Sequence, residues 1–104
     1  MTFILNQVNS VANGMLKELR DKSLQQDRAR FRQNVEKLGS ILAYEISKRL
    51  PYATERVETP LGTSTIQTLS EQPVLVTVLR AGLPFFQGFQ YFFDKADSGF
   101  IGAY

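Results

Sequence analysis

The sequence predicts an α/β fold: a parallel sheet flanked by helices, together with a β-hairpin. Three observations predict it. The stretch Pro73 to Gln90 opens on Val74, Leu75, Val76, Val78 and Leu79, a run apolar on both faces, as a strand covered on both sides requires. After Arg80-Ala81-Gly82 comes helical material opened by Pro84, and Phe100 to Tyr104 reads as the start of another strand. Strand, helix and strand make a βαβ unit, whose crossover is expected to be right-handed. Between Pro51 and Pro73, Glu55 to Thr59 and Thr63 to Thr68 are short, polar and rich in β-branched residues, with Pro60-Leu61-Gly62 between them, and read as a hairpin. The expected organisation is one incomplete domain over residues 1–104. Residues 1–50 form N-terminal helices, 52–70 the hairpin arm, and 73–104 the start of the core sheet.

Composition narrows the chemistry. A chain of 104 residues supports one small core. Net charge of +2 asks for neither nucleic acid nor an anionic membrane. The sequence has no cysteine and no histidine, which excludes disulfides, zinc–cysteine sites, His-ligated metals and Ser-His-Asp triads from these residues. It has no apolar run long enough to span a bilayer, and MTFILNQVNS lacks the basic segment of a secretory signal. A reducing compartment fits.

Taken in order, Phe3, Ile4 and Leu5 suit a short extended segment or arm. Ser10 can cap a helix in which Val11, Met15 and Leu19 form a stripe with Leu16 beside it, although Gly14 costs about 1 kcal/mol against Ala. The best-defined helix runs from Asp27, an N-cap, to Leu50. Phe31, Val35, Leu38, Leu42 and Ile46 make its apolar stripe, Gly39 marks a close crossing against another backbone, and Pro51 stops it. The hairpin has too sparse an apolar face to be stable alone, so it must lie on the body of the domain or on a partner. A last helix, Pro84 to Lys95, carries Phe85, Phe86, Phe89, Tyr91, Phe92 and Phe93; Asp97-Ser98-Gly99 is expected to turn the chain into the final strand.

Three features bear on function. The end of a buried strand before a helix is where α/β sheets bind ligands. Arg80 stands there beside Ala81 and Gly82, with a donor fork suited to phosphate oxygens and a glycine that lets the backbone come close. The plain alternative is a surface arginine in a βα turn, which the local pattern alone favours. Arg28, Arg30 and Arg32 crowd the positive end of a helix; phosphate binding is one reading, and a solvated basic face is preferred because alternate residues do not share a helix face. The aromatic helix reads either as a platform for a base or, preferably, as a helix packed on a sheet and a neighbour, with enough aromatic surface to hint at a protein interface. There is no GxxxxGK[ST] loop, GxGxxG motif or metal-ligand spacing.

The ordered blocks Leu19-Arg20-Asp21, Phe31-Arg32, Leu38 to Glu45, Val78-Leu79-Arg80-Ala81-Gly82-Leu83, Gln87-Gly88 and Phe100 to Tyr104 resemble the N-terminal half of the uracil phosphoribosyltransferases, over nearly the whole chain. The resemblance implies a type I phosphoribosyltransferase fold, a parallel sheet flanked by helices with a protruding hairpin arm that packs on a partner subunit. It implies a pyrimidine-salvage glycosyltransferase that joins uracil to 5-phosphoribosyl 1-pyrophosphate (PRPP), giving UMP and pyrophosphate, with Mg2+ accompanying PRPP. It further implies a cytoplasmic homo-oligomer, dimer or higher, with no nucleic-acid or membrane partner. Arg80, Ala81 and Gly82 then hold the PRPP pyrophosphate, and none of the three is an acid or base. Gln87 stands where the family has Asp, a difference expected to affect local packing more than chemistry. The sequence ends at Tyr104, before the family's next arginine, its Thr-Gly-Gly-Ser phosphate loop and its uracil-reading segment. A truncated chain inactive on its own is therefore expected. The competing readings are a non-catalytic oligomerising fragment and a regulatory relative that binds pyrimidine nucleotides.

Overall fold

The computed structural model describes residues 3–102. A short 3₁₀ turn at Leu5–Gln7 precedes helix α1 (Ala12–Arg20) and the long helix α2 (Arg28–Ser47). Strands β1 (Tyr52–Thr59) and β2 (Gly62–Leu69) follow, then β3 (Val74–Leu79), α3 (Leu83–Gln90) and β4 (Asp97–Gly102). β1 and β2 form an antiparallel pair, and β3 and β4 a separate parallel pair. The chain is mixed α/β, with α3 as the crossover between parallel strands.

α2 forms where the apolar spacing predicts it, and Asp27 caps it: its carboxylate accepts a hydrogen bond from the Arg30 amide at 3.1 Å. Regular helix ends at Ser47, short of Leu50, in a looser turn through Lys48 to Leu50. In α1, the Ser10 hydroxyl accepts from the Ala12 amide at 3.2 Å. Val11 does not join the buried stripe; it precedes the helix as its N-cap residue and is 77% exposed, whereas Ala12 is fully buried. The expected extension at Phe3 to Leu5 gives way to the 3₁₀ turn from Leu5.

The core lies where α2 crosses α3. Gly39 faces the Phe85 carbonyl and the Gly88 Cα, while Gly88 faces the Glu36 carbonyl oxygen and, at 2.7 Å from a notional Cβ, the Ser40 amide. The close crossing expected at Gly39 is therefore real, and its other half is Gly88. Leu38, Ala43, Phe86 and Phe93 are buried around it. Phe86 also meets Phe100 of β4 edge-on at 5.3 Å, which ties α3 to the sheet.

Three expectations need correction. α3 stops at Gln90, not Lys95, and the chain turns through Tyr91 to Ala96. Asp97-Ser98-Gly99 is accordingly not a turn but the first half of β4, paired with Val74, Leu75 and Val76. The polar letters of this stretch hide a strand held by its backbone ladder. β3 is not covered on both faces among the described residues: Leu75, Thr77 and Leu79 are half-buried, whereas Val74, Val76 and Val78 are 67, 59 and 50% exposed. Ile101, register partner of Val78, is exposed with them. Ala103 and Tyr104, expected to continue β4, lie outside the described residues.

The hairpin occupies almost the whole of the expected 52–70 stretch, with Tyr52 opposite Leu69 at its base and Thr59 opposite Gly62 at its tip. Gly62 has φ +132°, a conformation that glycine alone adopts freely, and the Thr59 hydroxyl bridges the turn to the Gly62 carbonyl at 2.8 Å. Every residue from Pro51 to Gln67 is exposed. The arm thus does not lie on the body of the chain; it is fixed at its base, where the Tyr52 hydroxyl donates to the Ser47 carbonyl at 2.8 Å.

Candidate functional site at the β3–α3 turn

Arg80, Ala81 and Gly82 form the turn between β3 and α3, at the C-terminal end of a parallel strand. The Gly82 amide donates to the Val78 carbonyl at 3.2 Å and the Leu83 amide to the Arg80 carbonyl at 3.1 Å, so the turn folds back on the strand end. The Leu79–Arg80 peptide is cis. Gly82 has an ordinary helical φ of −76°, but a Cβ there would stand 2.6 Å from the Thr77 hydroxyl and 2.9 Å from the Val78 carbonyl oxygen. Its lack of a side chain is required by the turn closing on its own strand.

Arg80 and Ala81 are exposed. Among the described residues the Arg80 guanidinium makes no hydrogen bond or ion pair, and the Ala81 amide donates to no acceptor. An unpaired guanidinium and a free N–H at a strand end form a donor set facing solvent, with no carboxylate in the turn to neutralise it. Gln87 lies on the exposed side of α3, and Gly88 beside it supplies the helix contact described above.

Next to the turn is a groove of about 580 Å³. Arg28, Phe31, Arg32 and Val35 of α2 form one wall, and Ala81 and Pro84 the other. The basic run at the start of α2 therefore has two fates. Arg30 turns the other way and hydrogen-bonds through its guanidinium to both carboxylate oxygens of Glu18, one contact being 2.8 Å. Asn34, 5% exposed, donates to the same carboxylate at 2.7 Å. The hydrogen bonds from Arg30 and Asn34 pull the Glu18 carboxyl from its ordinary 4.5 down to about 2. In the sequence Arg28, Arg30 and Arg32 read as one basic run, which hides the groove; the readable signal is the i, i+4 spacing of the outer two.

The aromatic residues of α3 and the turn after it divide between the core and the surface. Phe86 and Phe93 are buried in the helix crossing, and Phe85 meets Phe89 at 5.2 Å with the rings tilted by 54°, while Tyr44 of α2 meets Phe92 at 6.2 Å. Among the described residues no group of three acidic, histidine or cysteine side chains could hold a metal ion. None of the helices among those residues is long and apolar enough to cross a membrane.

Comparison with known proteins identifies the chain's relatives. The family model for uracil phosphoribosyltransferase matches residues 7–104. A uracil phosphoribosyltransferase of Porphyromonas gingivalis is 43% identical over 100 residues, covering 96% of this chain and 46% of the relative. Those of Methanothermobacter thermautotrophicus and Pyrococcus furiosus are 40% and 37% identical, covering 74% and 86% of this chain. The solved structure of the AQ2163 protein from Aquifex aeolicus superposes with a TM-score of 0.77 at 28% identity, over 91% of this chain and 45% of that one. The chain spans about half the length of the curated relatives it matches, or less.

Proposed function

Because the chain belongs to the uracil phosphoribosyltransferase family, we propose that it forms the pyrophosphate-binding half of an enzyme that converts uracil and PRPP to UMP and pyrophosphate. The observation that carries the reading is the exposed, unpaired Arg80 in the turn where a parallel strand gives way to a helix. As the bond between the ribose C1 and the pyrophosphate breaks, C1 becomes oxocarbenium-like and negative charge gathers on the departing oxygens. A guanidinium held at that position, with the Ala81 amide beside it, stabilises this charge without accepting or giving a proton. Gly82 keeps the turn tight, so the two donors stand on one short segment. Residues that would read uracil and hold the ribose 5-phosphate are not among these elements, so the 104 residues alone are not expected to turn over.

The acidic side chains here do not fit a metal centre, and the Mg2+ of the reaction is assigned to the PRPP oxygens. The arm from Tyr52 to Leu69, exposed nearly throughout, is assigned to packing on a second copy, making the working form a homo-oligomer. A cytoplasmic setting suits a chain without cysteine and a substrate made inside cells.

The test joins residues 1–104 to the remaining portion of the P. gingivalis relative and assays UMP formation. The chimera is expected to be active, and Arg80→Ala to lower kcat/KM by roughly 10²–10³, the scale for losing one preplaced charge-stabilising donor. A folded but inactive chimera, or an Arg80→Ala variant with normal kinetics, overturns the assignment.

A further inference from the structure

Arg28 and Arg32 stand one turn apart on α2, so their side chains share a face, and both line the groove beside the β3–α3 turn. Neither makes a hydrogen bond or an ion pair through its side chain among the described residues. Arg30, between them in sequence, is neutralised by Glu18 on the opposite side of the helix. The run thus resolves into one paired arginine and a matched pair of free ones. No carboxylate lines the groove; Phe31, Val35, Ala81 and Pro84 supply mostly apolar walls. Two like charges one turn apart repel, and Arg28 adds a cation to the first turn of a helix, where the dipole disfavours it. An anion seated between them removes both penalties, and apolar walls strengthen its attraction to them.

The groove's second wall is Ala81 and Pro84, which flank Gly82 in the turn that carries Arg80. Resting on the function proposed above, we propose that Arg28 and Arg32 are further ligands for the same pyrophosphate, so that its oxygens are shared between Arg80 on the turn and the arginine pair on α2. A diphosphate carries more charge than one guanidinium balances, and bidentate arginine forks placed on two sides fix its orientation as well as its charge. The two elements are braced at a fixed distance because α2 and α3 meet backbone to backbone at Gly39 and Gly88.

The experiment follows the arginine Nε–H and backbone amide resonances of the ¹⁵N-labelled chain during titration with sodium pyrophosphate, with sodium chloride at matched ionic strength as control. Arg28, Arg32, Arg80 and the Ala81 amide are expected to shift saturably with one shared midpoint, and Arg30 to stay still. The double variant R28Q/R32Q is expected to weaken that midpoint by about tenfold or more, the range for losing charge-assisted hydrogen bonds. Shifts at Arg80 and Ala81 with Arg28 and Arg32 silent overturn the inference and leave the Arg80 assignment standing. Shifts at Arg28 and Arg32 with Arg80 silent overturn the shared ligand and the Arg80 role together. No saturable shift, or equal shifts at Arg20 and Arg56, overturns both.

Discussion

Gly88 is a residue whose side chain would have nowhere to go. A Cβ there would run into the Glu36 carbonyl oxygen and lie 2.7 Å from the Ser40 amide nitrogen, both of them backbone atoms that cannot swing aside. Gly88→Ala is therefore expected to destabilise the chain by about 3 kcal/mol through forced separation of α2 and α3. Urea unfolding read by circular dichroism measures this. Gly14→Ala, on an open part of α1 with no neighbour within 4 Å, is the contrasting case, expected to stabilise by about 0.4–1 kcal/mol. The two glycines look alike in the sequence. Gly39 was legible as a crossing because it lies along the apolar stripe, beside Leu38 and one turn after Val35. Gly88 sat inside an aromatic run, where side-chain bulk drew attention from the one position without any. Arg80 was legible from its place after an apolar run, but its lack of a partner is a property of the fold that no spacing encodes.

Between elements, α1 is held to α2 by one polar cluster. Glu18 gathers the Arg30 guanidinium and the Asn34 amide, the latter almost fully buried. The Glu18 carboxyl is lower in the folded chain, at about 2, than its ordinary 4.5. A depressed carboxyl contributes stability that is complete above the unfolded value and disappears as pH falls through the folded one. The stability difference between wild type and Glu18→Gln is therefore expected to be constant above pH 4.5 and to vanish toward pH 2. A series of denaturant melts across that range checks it, and a difference that persists unchanged at pH 2 refutes the ionic origin. Asn34→Ala should cost about 1.5–3 kcal/mol across the same range above pH 4.5, since it removes a hydrogen bond to a charged group. Helix existence was readable from period and caps. The ends were not: α3 breaks five residues early because Tyr91 onward must turn to bring Asp97 beside Val74, a demand set by strand pairing.

At the scale of the molecule, the chain is too open for its length. Its radius of gyration is 17.0 Å, against about 13 Å for a compact domain of this size. Its accessible surface is 8127 Å², against about 5,900 Å² for a monomer of its mass. The exposed arm and the bare face formed by Val74, Val76, Val78 and Ile101 contribute to it. Both are surfaces of the kind that proteins bury on one another. Sedimentation velocity is expected to show concentration-dependent association, and replacing residues 52–69 by a short Gly-Ser linker to reduce it while the helical signal persists. A strictly monomeric wild-type chain would remove the arm from any role in assembly. The sequence made the apolar character of β3 plain, but the number of layers lying against it depends on chain that packs there, not on the strand's own letters.

The meeting of Gly39 and Gly88 has a consequence for how this molecule can change over time. Where two bulky side chains touch, one can shrink as the other grows. Here both partners are already at the smallest size that exists, so neither can compensate for the other. Any accepted replacement has to be absorbed by sliding one helix along its neighbour. Such a slide carries the Arg28–Arg32 end of α2 past the segment holding Arg80, so inherited variation at a purely mechanical joint alters how those three guanidinium groups stand to one another.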